Sequence, residues 1–219
     1  MRELRSALLF VFLSLFLISA HAQIKPSGGV GIRFMTTGGG GSSSVSGSNL
    51  FTGHTSSSSA PEFFIRVHPT NLSPSIPENF AIEGTMSLAE SEHEIKFNGA
   101  SLGKKTCSQA MGVSAQWHFG ESSSKVRPYV GLGFETKDCG GDYAIGGARF
   151  AQSESSSNSA IFRAGINFDL THIFKGLSAS IDMKTSSKHE SIGNPVAGVS
   201  VKNDTGGGIS AGVGVNLRF

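Results

Sequence analysis

The last eleven residues of the chain alternate strictly between apolar side chains and small or polar ones. Apolar side chains occupy every odd position of this segment: Ile209, Ala211, Val213, Val215, Leu217 and Phe219. A helix brings side chains three or four residues apart to one face, whereas a strand brings every second side chain to one face, so this segment is predicted to be a strand. Its length is about what a tilted strand needs to cross the hydrocarbon core of a membrane.

The same period of two recurs in seven segments farther up the chain. They span residues 30–35, 63–68, 80–88, 110–119, 126–135, 160–169 and 177–184. Three connections are short (71–79, 120–125 and 170–175), and four are long and rich in Gly, Ser and charge (38–60, 90–105, 137–158 and 186–207). Short turns at one end and long loops at the other are typical of outer-membrane barrels. We therefore predict an all-β fold, an eight-stranded antiparallel up-and-down transmembrane β-barrel with short periplasmic turns and long extracellular loops.

A soluble β-barrel or sandwich would show the same alternation, with its apolar face turned inward and Lys and Glu outside. In this chain the polar face is sparse, and it carries glycine at 131, 133, 165, 212 and 214. Glycine suits the crowded interior of a narrow barrel. The pattern favours the membrane barrel over the soluble alternative.

The first 22 residues have the organisation of an export signal. Arg2 and Arg5 precede a run of twelve mostly apolar residues at 7–18, and Ala20-His21-Ala22 has the A-x-A form of a cleavage site. This combination is typical of a secretory signal peptide, and the run is short for a membrane-spanning helix. We predict cleavage after Ala22, a single barrel domain over residues 23–219, and export to the bacterial outer membrane.

Charge and cysteine content exclude several classes of function. The formal net charge is +2, which does not indicate a nucleic-acid partner. Two cysteines are too few for a thiolate zinc site. No histidine pairs with a serine at the outer rim, as a lipid-modifying hydrolase would require, and no cluster has the spacing of metal ligands. The sequence thus predicts no enzyme activity, no metal and no cofactor.

Residues 115–133, AQWHFGESSSKVRPYVGLG, resemble the outer membrane protein W (OmpW) family of small bacterial barrels, over its fourth strand, periplasmic turn and fifth strand. Weaker similarity covers 80–91, 160–170, 177–185 and 213–219. The resemblance implies uptake of small hydrophobic molecules through an apolar pocket near the outer mouth, with release sideways into the bilayer. The apolar positions that would line such a pocket are Met35, Phe64, Ala89 and Ala110. Glu135 and Lys184 depart from an apolar lining.

By alternation, polar side chains of mixed sign face the lumen. They are Arg33, Arg66, Glu83, Gln116, His118, Arg127, Tyr129, Glu135, Arg163, Asp182, Lys184 and Arg218. An eight-stranded interior is just wide enough for side chains to fill, so these residues either close the barrel with ion pairs or line a narrow channel. Trp117, Phe119 and Phe219 are predicted to form an aromatic girdle at the membrane interface.

Cys107 and Cys139 are equidistant from the turn at 120–125, which places them nearly opposite each other. Strict alternation nevertheless assigns Cys107 to the lipid face and Cys139 to the lumen face, and opposed residues share a face. A bulge near Gly140-Gly141 would remove this conflict. A disulfide between them therefore stays open at the level of sequence, in a compartment that permits one.

Two functions follow from these patterns. The first is a narrow channel or uptake path for small hydrophobic molecules; the alternative is a non-transporting structural, adhesive or antigenic barrel that displays its loops. The expected partners are outer-membrane lipids and lipopolysaccharide, the barrel assembly machinery through the Phe219 strand, small hydrophobic molecules, and no nucleic acid. Contiguous apolar residues in the upper lumen would favour transport, and a lattice of charges would favour a closed barrel.

Overall fold

A computed structural model describes residues 27–38, 41–45, 51–71, 73, 75–98, 100–145, 148–196, 199–206 and 208–219. The signal peptide predicted over residues 1–22 lies outside this part of the chain. Thirteen strands account for most of the described residues, and the one helical element is a 3-10 turn at Pro69–Asn71. None of the described helical segments has the length and apolar character to span a bilayer.

Eight strands form the barrel. They are β1 (Ser27–Thr37), β4 (Ser58–His68), β5 (Phe80–Ser87), β7 (Ala100–His118), β8 (Val126–Ile145), β9 (Ala148–Asp169), β10 (Leu177–Ser186) and β13 (Ile209–Arg218). Each pairs antiparallel with the next, β7 pairs with β8, and β13 pairs back with β1, so the ring closes. The predicted eight-stranded antiparallel barrel is confirmed.

The register of the ladders gives the strands their stagger. A path of paired residues that starts at Arg127 of β8 and passes once around the ring returns to β8 at Lys137, ten residues farther along. A stagger of this kind requires the strands to tilt, and it sets the width of the barrel together with the number of strands. Residues far apart in the sequence therefore meet across the lumen at the same height.

The outer wall of the barrel is apolar. Phe34, Leu132, Phe134, Val213 and Met183 are all more than half exposed, and they alternate with buried polar side chains along the same strands. A soluble fold would leave this surface in water at a large cost, whereas lipid tails solvate it. The end of the barrel that carries the short turns is called the periplasmic end here, and the opposite end is called the outer end.

The remaining strands belong to the long connections. They are β2 (Gly41–Val45), β3 (Phe51–Thr55), β6 (Ser91–Phe97), β11 (Lys188–Val196) and β12 (Val199–Gly206). These connections were predicted to be long loops, whereas the structure forms strands within them. Pairing of β8 with β9 continues up to Ile145 and Ala148. Two strands that are already paired inside the membrane can stay paired beyond it. Each further residue pair satisfies its backbone hydrogen bonds, and the two chains are already held side by side.

Cys107 is disulfide-bonded, and Cys139, the chain's other cysteine, lies directly opposite it in the ladder of β7 and β8. Strict alternation assigned the two to opposite faces, which the structure does not bear out. Gln109 is an extra residue in β7, because the register shifts between Ser108 and Ala110. One inserted residue reverses the alternation beyond it, so Cys107 joins the face of Cys139.

Alkylation tests this covalent link. Intact protein unfolded without reductant should incorporate no iodoacetamide, and after reduction it should incorporate two equivalents, which mass spectrometry measures. The Cys107→Ser variant is the matched control, since it leaves a single thiol that reacts without reductant. Two reactive thiols in the untreated protein would contradict the bond.

Candidate functional site in the barrel lumen

The barrel interior is packed with polar side chains. Of the twelve positions that alternation assigns to the lumen, the structure buries all but Arg218, whose side chain lies at the periplasmic mouth. Arg33, Glu83, Arg163 and Asp182 have no exposed surface at all. Their depth follows from the strands: each lies on the inward face of a strand whose outward face meets lipid.

Eight charged side chains connect across the middle of the lumen and are called the ion-pair network. They are Arg33, Glu62, Arg66, Glu83, Glu135, Arg163, Asp182 and Lys184. Arg33 stands at its centre: Nη1 lies 3.0 Å from Asp182 Oδ1, Nε lies 3.1 Å from Glu62 Oε1, and Nη2 binds Glu83. One guanidinium therefore ties together three strands besides its own.

Glu62 is the second centre of the network. Its carboxylate lies 2.8 Å from Nη1 of Arg163 and 3.3 Å from Nζ of Lys184, in addition to its contact with Arg33. Glu62 was not among the predicted lumen residues, because the predicted strand began at Phe63. The sequence does contain an indication of its place, since Glu62 lies two residues before Phe64 and four before Arg66 and so falls on the same inward face. Proline does not exclude a strand here, because it is tolerated at an edge or irregular position.

The eight buried members of the network are electrically balanced, with four cationic and four anionic side chains, and the partly exposed Lys137 adds a contact of 3.0 Å to Glu135. Burying an unpaired charge costs several kcal/mol, but a charge with close partners and further hydrogen bonds recovers much of that cost. Asp182 shows the arrangement: it also accepts a hydrogen bond from Ser180 Oγ at 2.6 Å and another from the hydroxyl of Tyr129. The middle of the barrel is thus filled by a neutral lattice.

An aromatic layer formed by Phe64, Tyr129 and His118 packs against the arginines of the network. The guanidinium of Arg33 stacks 4.1 Å over the ring of Phe64, and that of Arg66 lies 5.2 Å from the ring centre of Tyr129. His118 stacks on the other side of Tyr129 with ring centres 5.2 Å apart. Such contacts hold the arginines in fixed orientations.

Tyr129 needs a glycine opposite it. A β-carbon at Gly165 would lie 2.7 Å from Cε1 of the Tyr129 ring, which is closer than real contacts allow. The inward glycine therefore makes the space that the ring occupies.

Below the aromatic layer, a cavity of about 360 Å³ opens at the periplasmic end. It is called the periplasmic cavity, and its lining includes Arg66, His68, Glu78, Arg127 and Arg218. Arg66 also belongs to the ion-pair network, so the network forms the upper limit of this cavity. The lumen is consequently divided into a periplasmic part and an outer part.

Of the four positions that the family resemblance assigned to an upper pocket, three lie above the network. Met35 and Ala110 are buried, and Ala89 is half-buried just beyond the end of β5. Phe64 is also buried, but its ring packs against the guanidinium groups of Arg33 and Arg66 in the middle of the lumen rather than near the outer mouth. The network's own Glu135 and Lys184 bring charge to the same outer part, 2.9 Å apart.

The ladder between β4 and β5 is interrupted directly above the network. The last paired residues are Glu62 and Ser87, and above them Leu88 N–H donates to the Pro61 carbonyl at 3.0 Å. The reciprocal bond of an antiparallel pair cannot form, because proline has no N–H. The next hydrogen bond between these segments joins Ser56 to Glu92. Among the described residues, the ladder of β4 and β5 has six residue pairs, the fewest of the eight ladders of the barrel.

The three predicted girdle residues all lie at the periplasmic end of the barrel, two at the end of β7 and one after β13. Trp117, Phe119 and Phe219 are each 40 to 47% exposed on the lipid face. Phe219 is fixed by two backbone hydrogen bonds with Gly28, at 3.1 and 3.2 Å. Amphipathic and aromatic rings at this height are typical of a membrane interface.

A closed ring of eight tilted strands with an apolar exterior and a polar, ion-paired interior defines a transmembrane β-barrel of the outer-membrane class. Residues 8–219 match the family model described as the outer membrane protein beta-barrel domain. The chain belongs to this family, whose members lie in the bacterial outer membrane. No curated protein matches the chain.

Two solved structures with a similar fold illustrate the class. The outer membrane protein OprG from Pseudomonas aeruginosa is 14% identical, with a TM-score of 0.61 over 89% of this chain and 97% of that one. The outer membrane protein AlkL, solved in lipid bilayers, is 13% identical, with a TM-score of 0.51 over 90% of this chain and 92% of that one. At these identities the likeness concerns the fold.

Proposed function

We propose that the chain is a barrel of the OmpW type that admits small hydrophobic molecules at its outer mouth and releases them sideways into the bilayer. The resemblance of residues 115–133 supports the family assignment. The observation that carries the uptake path is the pairing of two features: a lumen closed by the ion-pair network, and a weakened wall immediately above it.

The network directs the path outward. A hydrophobic molecule that descended the lumen would have to displace fully buried, mutually paired charges such as Arg33 and Asp182. Separating such charges costs several kcal/mol, and the molecule offers no hydrogen bonds in return. Passage through the periplasmic half is therefore unfavourable, and an exit above the network is required.

The interruption of the β4–β5 ladder at Pro61 and Leu88 supplies that exit. Leu88 is 38% exposed on the lipid face, and Ala60 and Ala89 are small side chains on the two segments beside the interruption. Opening the wall here breaks fewer backbone hydrogen bonds than opening a complete ladder. A molecule that leaves by this route enters hydrocarbon directly and avoids water.

Replacing Pro61 with alanine tests this path. The new N–H can donate to Leu88 and complete the pair, and a net gain of about 1 kcal/mol for one hydrogen bond would lower the open population, and with it uptake, about fivefold. Uptake is measured as accumulation of radiolabelled octane by cells that carry equal amounts of folded barrel. Pro77→Ala, in an exposed periplasmic turn, is the matched control and should leave uptake unchanged.

Unchanged uptake in the Pro61→Ala variant would refute the sideways exit. Uptake that is the same with and without the barrel would refute transport as a whole. It would favour the second candidate, a structural barrel that displays its outer hairpins, which the neutral and filled lumen also suits.

A further inference from the structure

The periplasmic cavity has no part in the uptake path, since the ion-pair network separates the two. Three guanidinium groups converge on it, from Arg66, Arg127 and Arg218, and the one carboxylate side chain in its lining is the exposed Glu78. His68, Thr70 and Ser122 add polar groups to the walls. The lining thus carries more cationic than anionic side chains, in contrast to the balanced network above it.

The three arginines differ in how far their charge is compensated. Arg66 donates from Nε and Nη2 to one oxygen of Glu83, at 3.0 and 2.7 Å, and also donates to Asn167 at 3.1 Å. Arg218 lies 3.2 Å from Asp169 and is about one third exposed. Arg127 donates only to the neutral amide oxygen of Asn79, at 3.3 Å, and its Nε has no hydrogen-bond partner among the described residues.

Arg127 is only 7% exposed, and the part of the chain that the structure describes supplies it with no ion-pair partner. A guanidinium that is buried in this way gives up much of its hydration, and the carboxylate of Glu78, which lines the same cavity, attracts it only from beyond ion-pair distance. Such a group is stable when an anion completes its environment. Its fork of donors matches an oxyanion with two or more oxygens.

We propose that the periplasmic cavity binds a phosphate group, with Arg127 as its principal ligand and Arg218 on the open side. A volume of about 360 Å³ exceeds that of a bare phosphate and accommodates a phosphate attached to a glycerol unit. Donors on several sides suit the three terminal oxygens of a phosphate monoester better than the two of a carboxylate. The phosphate is carried either by a lipid of the inner leaflet or by a soluble periplasmic compound.

Calorimetric titration of the purified barrel tests the site, in a maltoside detergent that contains no phosphate. The probes are inorganic phosphate, glycerol 3-phosphate and dihexanoyl phosphatidic acid, each against chloride at matched ionic strength. Arg127→Gln should raise the Kd of glycerol 3-phosphate roughly tenfold or more, as loss of a charge-assisted hydrogen bond requires. Lys175→Gln, on an exposed turn at the same end, is the matched control and should leave the Kd within about twofold.

Two further comparisons complete the test. Arg127→Lys keeps the charge but loses the fork, so it should weaken binding less than Arg127→Gln; heat-modified gel mobility verifies that each variant is folded. Tighter binding of phosphatidic acid than of glycerol 3-phosphate supports the site and identifies a lipid as the source, whereas equal binding supports it and identifies a soluble compound. Absence of binding by all three probes, or equal weakening by Lys175→Gln, would overturn the proposal.

Discussion

Replacing Glu62 with glutamine should lower the free energy of unfolding by about 3–5 kcal/mol, the cost of leaving buried cations without their partner. The substitution keeps the size of the side chain and removes only its charge. Arg33, Arg163 and Lys184 all lie within 3.3 Å of the carboxylate and are themselves almost wholly buried. The measurement is reversible urea unfolding of the barrel in lipid vesicles, followed by tryptophan fluorescence.

The same change at an exposed carboxylate distinguishes the effect of removing a buried charge on the free energy of unfolding from the effect of removing any charge. Glu121→Gln, in a periplasmic turn, should change the free energy of unfolding by about 0.5 kcal/mol or less. In a double-mutant cycle, Glu62→Gln and Arg163→Gln together should cost less than the sum of the two single changes, because the double variant leaves fewer unpaired charges. Equal effects at Glu62 and Glu121, or strict additivity, would show that the network does not hold the lumen together.

Replacing Val213 with arginine should destabilise the barrel by about 2–4 kcal/mol, as expected for a cation near the bilayer midplane. Val213 lies near the middle of the alternating segment 209–219, and its side chain is 60% exposed. Its partners on the two neighbouring strands, Phe34 and Ile181, are also exposed and apolar. The guanidinium would thus be surrounded by lipid tails. The loss in free energy of unfolding is measured by urea unfolding in lipid vesicles, as for the Glu62 variant.

Leu217→Arg is the control for depth. It lies on the same face of the same strand, four residues nearer the periplasmic end, where the girdle residue Phe219 follows. Near the interface an arginine should cost only about 0–1 kcal/mol, because its long side chain reaches the headgroups. Equal losses at both positions, or no loss at Val213, would argue that this face does not meet hydrocarbon.

Alternation predicted the eight strands of the barrel, because the period of two is a property of each strand by itself. The lengths of the connections between them predicted the antiparallel order. The two cysteines show what alternation could not predict. The bulge at Gln109 depends on how β7 meets β8, and no local residue pattern marks it. The second strand shows another difference: it was predicted over residues 63–68, whereas β4 begins at Ser58 and contains Pro61, at a position where the missing N–H faces an interrupted ladder.

The partners of the buried charges were also beyond the sequence. Arg33 and Asp182 are 149 positions apart, and Arg163 and Glu62 are 101 apart. Which charges meet depends on the stagger of the closed ring, because each ladder shifts its strand along the barrel axis relative to the one before. Alternation identifies the side of the wall on which a charge lies, but the partner across the lumen is set by the whole cylinder.

The extra length of β9 has a consequence for what a neighbouring cell or antibody would encounter. Its 22 residues span about 70 Å of extended chain, while about 10 residues suffice to cross hydrocarbon. Even at a tilt near 40°, the two-stranded arm formed with β8 would extend about 30 Å beyond the hydrocarbon, and so well past the lipid headgroups. An epitope placed beside the last paired residues, Ile145 and Ala148, should therefore be accessible on intact cells.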